Sequence, residues 1–370
     1  MRPEPRPGAL VAADGTIWRG EFLGRGPVSG ELVFNTVMCG YEEVISDPSY
    51  FGQVVAFTSV HIGNYGVQAA DRQWQRPACR AVVVADLCLE PSSWRAEGDL
   101  ASWLYDSGVP ILSGLDTRRL TRYVRNAGSV PVACGPTDGE GAVSLEELAL
   151  MARAEPGTTG QDLVSWVSAP KPYWFSRQQG RPVVAVLDFG VKKGILESLV
   201  RFGASVWVVP ARLSEEALSE ARPAGVVVSN GPGDPAALGW AIDGLKAVVG
   251  KYPMLGICLG HQLLGQVIGA KTYKLAFGHH GGNHPVKRLS DGVVEITSQN
   301  HNYALEESSL RAAGATVTHR NLNDGVVEGF DLAKERIWAV QYHPEARPGP
   351  NDAQRVFEAF VASCLAEETA

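Results

Sequence analysis

The sequence predicts an α/β protein of two domains, an N-terminal mixed α/β domain followed by a C-terminal doubly wound, mostly parallel sheet. Three observations carry this expectation. From Val183 onward, nearly continuous apolar runs alternate with helical stretches, the pattern of a parallel sheet covered on both faces. Before that point, short alternating runs broken by glycine turns mix with amphipathic helices. Third, the apolar run Pro253-Met254-Leu255-Gly256-Ile257 breaks at Cys258-Leu259-Gly260 and resumes as Gln262-Leu263-Leu264-Gly265, which reads as a buried strand, a tight turn and an immediate helix.

Composition sets the class. With 370 residues the chain is long enough for two cores, and 45% hydrophobic with 20% charged residues describes a soluble globular protein. Lys plus Arg total 33 against 40 Asp plus Glu, a net charge of −7, and no basic cluster stands out, which argues against nucleic acid as a partner. Met1-Arg2-Pro3-Glu4-Pro5-Arg6-Pro7 lacks the apolar core of a signal peptide, and no stretch reaches the length of a membrane span, so a cytoplasmic location with no membrane partner is expected. Six cysteines, Cys39, Cys79, Cys88, Cys134, Cys258 and Cys364, are scattered without a CxxC pair, so reduced thiols are expected in place of a disulfide framework or zinc ribbon.

In chain order, Asp14-Gly15, Gly24-Arg25-Gly26-Pro27 and Ser29-Gly30 break hairpin strands that end in Glu31-Leu32-Val33-Phe34. Val54–Thr58 and Ala81–Ala85 are apolar enough to be buried strands, and helices are expected around Asp99–Leu104 and Asp116–Arg125, the second stopped by Asn126-Ala127-Gly128. A helix over Ser144–Ala152 closes the first domain, residues 1–155. Proline, glycine and aromatic residues dominate 156–180, which is read as a linker before a domain at 181–370. There the order is strand Val183–Asp188, helix Lys193–Phe202 stopped by Gly203, strand Ser205–Val209, an acidic helix Ser214–Ala221, strand Gly225–Ser229, the loop Asn230-Gly231-Pro232-Gly233-Asp234-Pro235, a helix to about Gly250, and the Cys258 strand. Ligands of such sheets bind beyond the carboxyl ends of the strands, where both the Gly231 loop and Cys258 fall.

A lone cysteine packs most often as a small hydrophobe, but the flanking glycines and the strand-to-helix switch make Cys258 a candidate nucleophile. Glycines on both sides would let the backbone bend and leave the thiol exposed at the tip, with free N–H groups of the new helix favouring a thiolate. A nucleophile needs a base and a group to orient that base. Ile337–Tyr342 reads as a strand running into His343-Pro344-Glu345; Pro344 ends it, which places His343 at the same sheet edge, and Glu345 is spaced to hold the imidazole tautomer. His280 and His284 invite a metal reading, but the intervening Gly281-Gly282 disfavours a helix and no ligand set is completed nearby, so a glycine-shaped loop against a pocket is expected and no metal. Gly265 to Thr272 is spaced wrongly for a phosphate loop, and Pro232 removes an N–H from Gly231-Pro232-Gly233, so no nucleotide site is expected at the catalytic centre.

Ser229-Asn230-Gly231-Pro232-Gly233-Asp234-Pro235, Gly256-Ile257-Cys258-Leu259-Gly260-His261-Gln262 and His343-Pro344-Glu345 resemble, in this order, the signatures of the class I, or triad, glutamine amidotransferases. The resemblance covers the whole chain. Gly40-Tyr41-Glu42-Glu43, Asp47-Pro48-Ser49-Tyr50, His61-Ile62-Gly63-Asn64, Asp116–Arg122, Phe277–Val286 and Ser298-Gln299-Asn300-His301 resemble the small, glutamine-hydrolysing subunit of carbamoyl-phosphate synthase.

That resemblance implies catalysis by Cys258, His343 and Glu345, an oxyanion hole from the N–H groups of Leu259 and Gly231, and substrate contacts at Ser49, Gly231, Gly233, Leu259, Gln262, Asn300, Asn302 and Tyr303. With Ser49 in the first domain, the pocket would lie between domains. It implies no cofactor in this chain. Ammonia would pass to a large partner subunit, forming a heterodimer or higher oligomer; ATP and magnesium would bind only there, and the carbamoyl phosphate made would serve arginine and pyrimidine synthesis. Cys39, Asn302 and Tyr303 depart from the family pattern, and a backbone contact survives Asn302 only if that residue adopts positive φ, which Asn tolerates better than most. A glutaminase of another synthetase, a γ-glutamyl hydrolase and a non-catalytic glutamine sensor are the competing readings; Ser49 argues against the first two, and the intact Cys258, His343 and Glu345 argue against the third.

Overall fold

The computed structural model describes residues 4–212 and 214–369. The chain divides into two compact units: one runs to Thr159 and takes in Ala276–His280, and the other comprises Gly160–Leu275 and the chain from Gly281 on. No helix of the described residues is long and apolar enough to cross a membrane.

In the first unit the expected hairpin forms between Arg6–Ala12 and Ile17–Leu23, turning at Gly15 with φ 89. Those strands belong to a closed seven-stranded barrel, continued by Ile111–Ser113, Ala81–Val83, Gln53–Phe57, Val28–Asn35 and Val130–Pro136, which pairs back onto Arg6–Ala12. Leu10, Phe22, Leu32, Val54, Val83 and Leu112 pack together in one core with Leu120 and Val124 of helix Thr117–Ala127. The helices start where their caps require: the Asp99 carboxylate accepts from the Ser102 N–H, Asp116 from the Arg119 N–H, and Ser144 and Glu147 form a reciprocal capping box. Closure of the barrel is not part of the sequence expectation. It depends on parallel pairing of Gln53–Phe57 with both Val28–Asn35 and Ala81–Val83, contacts that local periodicity does not encode.

In the second unit a ten-stranded sheet has a parallel centre in the order Ser205–Pro210, Val183–Asp188, Gly225–Val228, Met254–Ile257 and Ile337–Val340. Strand order reverses direction between Val183–Asp188 and Gly225–Val228, which makes their carboxyl ends a topological switch point. Helices Gly239–Lys246 and Leu259–Val267 pack on one face, and Lys193–Arg201 with Arg355–Thr369 on the other. Antiparallel strands Val327–Leu332, Thr316–Asn321, Thr272–Arg288 and Val294–Leu305 extend one edge.

Two segments differ from expectation. The stretch read as a linker is built into the fold: Thr158 donates to the buried Glu31 carboxylate in the first unit, and Tyr173–Ser176 adds an antiparallel edge strand beside Ser205–Pro210 in the second. The His279–His284 segment is not a loop, because it lies within the 17-residue strand Thr272–Arg288. Its glycines suppress the alternating pattern by which a strand is recognised.

Candidate functional site

The strand Met254–Ile257 stops at Cys258, and helix Leu259–Val267 begins at the next residue. The Cys258 N–H donates to the Val340 carbonyl at 2.9 Å and the Gly260 N–H to the Ser229 carbonyl at 3.1 Å, so the corner is tied to the strands on both sides. Cys258 itself has φ 55 and ψ −105, a conformation that costs a non-glycine residue on the order of 1–3 kcal/mol. Strain therefore sits on the cysteine. The neighbouring glycines serve close packing in place of the chain reversal expected of them. A Cβ on Gly260 would lie 2.0 Å from the Val228 carbonyl oxygen, and one on Gly256 would lie 2.8 Å from the Gly260 backbone. Nor is the thiol exposed at a tip: Cys258 is 2% exposed, and its Sγ lies 3.4 Å from the Asn300 carbonyl.

His343 follows the adjacent strand Ile337–Val340 and is fixed by its N–H, which donates to the Ser298 carbonyl at 2.9 Å. Its Nδ1 lies 2.7 Å from Glu345 Oε1, so the acid two residues on reaches the imidazole as the spacing requires. Nε2 is buried with no well-formed hydrogen bond, and Cys258 is among the groups that act electrostatically on the ring. Burial alone would push the imidazole pKa down, but the charge of Glu345, aided by Cys258, outweighs it and the pKa is raised. For Glu345, burial pushes the pKa up, and Lys192 together with His343 reverses this, leaving it depressed.

Lys192 is the functional residue that sequence reasoning misses. Its Nζ lies 2.8 Å from Glu345 Oε1 and donates to the Ala346 carbonyl at 2.7 Å, with the side chain 2% exposed. It caps the start of helix Lys193–Arg201, where the helix dipole disfavours a cation, and that misfit is the one signal in the sequence that could have flagged it. Asn230 holds this corner: its Oδ1 accepts from the Lys192 N–H and its Nδ2 donates to the Gly190 carbonyl.

Gly231 packs directly on the residue after the nucleophile. A Cβ there would lie 2.2 Å from the Phe189 carbonyl oxygen and 2.8 Å from Leu259 Cδ2. The N–H groups of Gly231 and Leu259, the latter in the first turn of its helix, donate to no acceptor among the described residues, which suits them to an oxyanion. Gly233 has φ 92, and Asp234 beside it accepts from the Gly160 and Ala236 N–H groups, fixing the loop. Gln262 Nε2 donates to the Tyr303 carbonyl at 2.8 Å and to Gln341 Oε1 at 3.0 Å, and that same oxygen lies 3.2 Å from His261 Nδ1. Burial lowers the His261 pKa to about 3, so this imidazole is neutral and structural. Both amide hydrogens of Gln262 are thus engaged, leaving its Oε1 as the group able to accept from a ligand.

Asn300, Asn302 and Tyr303 all lie buried in strand Val294–Leu305. Asn302 has extended strand backbone and not the positive φ that is the condition for keeping a backbone contact there. Ser49 belongs to the first unit, in the short helical turn Pro48–Tyr50, with its N–H donated to Asp47 Oδ1 at 2.9 Å.

Residues 185–363 match the family model described as glutamine amidotransferase class-I, and residues 10–133 match that described as carbamoyl-phosphate synthase small chain, CPSase domain. The carbamoyl phosphate synthase small chain of Syntrophotalea carbinolica is 43% identical over 366 residues, covering 95% of this chain and 96% of the relative. That of Symbiobacterium thermophilum is 45% identical over 356 residues, with 94% and 96% covered. The pyrimidine-specific small chain of Halalkalibacterium halodurans is 43% identical over 353 residues, with 95% of each covered.

Proposed function

Because the chain belongs to the carbamoyl phosphate synthase small-chain family and its second unit is a class I glutamine amidotransferase domain, we propose that Cys258, His343 and Glu345 hydrolyse glutamine to supply ammonia to a large synthetase subunit. The observation that carries this reading is the buried chain from Lys192 through Glu345 to His343, which ends at the strained Cys258 corner.

The Cys258 thiolate attacks the side-chain carbonyl carbon of glutamine. The resulting oxyanion is received by the Leu259 and Gly231 N–H groups, donors of a kind each worth about 10²–10³-fold in rate. His343 gives its Nε2 proton to the departing nitrogen, ammonia leaves and a glutamyl thioester remains. The neutral imidazole then takes a proton from water; the hydroxide displaces the thiolate, glutamate is released, and the imidazolium is restored. Glu345 holds the tautomer and balances the imidazolium charge, while Lys192 holds Glu345 ionised. Gln262 Oε1, its amide hydrogens being engaged elsewhere, accepts from the substrate ammonium in this proposal, and Ser49, Gly233, Asn300, Asn302 and Tyr303 complete substrate binding. The large partner binds ATP and magnesium and joins the ammonia to bicarbonate as carbamoyl phosphate; this chain itself uses no cofactor and works in the cytoplasm.

The test is Cys258→Ser in a complex reconstituted with the large subunit. Glutamine-dependent synthesis should vanish while synthesis from added ammonia persists. Glutamine use at the normal rate would overturn the assignment.

A further inference from the structure

Between the C-terminal helix Arg355–Thr369 and the sheet lies a cavity of about 600 Å³, within the second unit alone, whose lining does not include Cys258, His343 or Glu345. This is the size of small-molecule sites, which run to about 300–1,000 Å³. Its wall is mainly apolar, with Leu255, Val340, Val356 and Phe360 beside the half-exposed ring of Trp338, which meets Phe360 edge-on at 6.5 Å.

The charged groups in that wall are unevenly matched. Arg288 donates from Nε to Asp291 at 2.8 Å and faces Glu295 at 3.7 Å, and Arg355 pairs with Glu295, so both cations have their counter-charges within the protein. His319 lines the cavity as a neutral ring, its pKa lowered to about 4 by burial and by Arg288. Asp331 also lines it and has no ion pair or side-chain hydrogen bond among the described residues. With two guanidiniums set against Asp291, Glu295 and Asp331, one negative charge is left over, and it belongs to Asp331. Burial has raised the pKa of this carboxyl to about 6, the mark of an anion whose lost hydration nothing replaces.

We propose that this cavity binds a small organic cation, a protonated amine carried on an apolar or aromatic body, with Asp331 as its counter-ion and Trp338 and Phe360 as its apolar wall. An ammonium at Asp331 replaces the missing countercharge, and the adjacent indole face of Trp338 attracts the cation further through its ring quadrupole. An organic anion at the same place would meet an uncompensated carboxylate, which makes charge the discriminating property.

The probes are 2-phenylethylamine and 3-phenylpropionate, which are alike in size and opposite in charge, titrated into the full chain by calorimetry at about pH 7.5, where both are ionised. The amine should bind at least about tenfold tighter than the acid, a preference of about 1.4 kcal/mol. Asp331→Asn should weaken the amine by about tenfold or more, and Ala359→Trp, which fills the cavity with Asp331 intact, should abolish its binding. The comparison of the two probes in the unaltered chain decides the matter even if a variant fails to fold. Equal or tighter binding of the acid, no binding of either probe, or an amine affinity indifferent to both substitutions would overturn the proposal.

Discussion

Lys192 Nζ and His343 Nδ1 meet on a single oxygen, Glu345 Oε1, at 2.8 and 2.7 Å. The carboxylate is therefore wedged between two nitrogens in a site closed to solvent, and its ionisation is held by both. An acid paired with the imidazole alone would be pressed by burial toward its neutral form, which could not balance a charged His343.

Lys192→Met should expose that dependence. Removing one partner of a buried ion pair costs about 3–5 kcal/mol in general, so urea unfolding should show a loss of this order together with a fall in glutamine hydrolysis. Adding Glu345→Gln to Lys192→Met should restore part of the stability and none of the hydrolysis, because the double variant removes the orphaned charge and also the group that orients His343.

The same cluster sets two limits on pH stability. Glu345 has a depressed pKa in the folded protein, so its contribution is present above the ordinary value of 4.5 and is lost as pH falls toward about 2. His343 has a raised pKa, so its contribution is full below 6.5 and is lost as pH rises toward about 10. Unfolding free energies measured across this range should decline on both sides, and His343→Gln should flatten the alkaline side selectively.

Gly260→Ala tests the packing of the corner. Its Cβ would fall 2.0 Å from the Val228 carbonyl oxygen, and backbone cannot yield as a side chain can. A loss of at least the ~1–3 kcal/mol typical of overpacking is expected, seen as a fall in melting temperature of several degrees, with glutamine hydrolysis abolished as the helix bearing Leu259 is displaced.

The strain at Cys258 predicts an inverted order of stability. Glycine normally loses to alanine by about 0.5–1 kcal/mol in regular structure, yet at φ 55 and ψ −105 only glycine is at ease. Cys258→Gly should therefore be more stable than Cys258→Ala in a denaturant titration, although both should be inactive. The reverse order would mean that the corner relaxes once the thiol is gone.

The sequence reveals the Cys258 corner and the His343-Pro344-Glu345 turn because each is a local event: a strand ending, glycines on either side of a cysteine, an acid two residues from a histidine. Lys192 is hidden because its partner is fixed only by the fold, across the sheet in the turn after Ile337–Val340. The exposure of Cys258 is misjudged for the same reason, since what covers it comes from other segments. Helix starts at Asp99, Asp116 and Ser144 are legible from their caps, whereas barrel closure and the strand through His279–His284 depend on pairing partners that periodicity cannot name. The parallel centre of the large sheet is legible in outline, and its antiparallel extension is not.

Ile337–Val340 is the last strand in sequence among the described residues, yet it sits in the middle of the large sheet, between Met254–Ile257 and Val327–Leu332. During synthesis the two sides of that sheet must wait, each with an unzipped edge, until Ile337–Val340 arrives to join them. The strand that joins them also delivers His343. Cys258 and its corner are thus synthesised well before His343, so under the proposed mechanism glutamine hydrolysis waits on closure of the sheet.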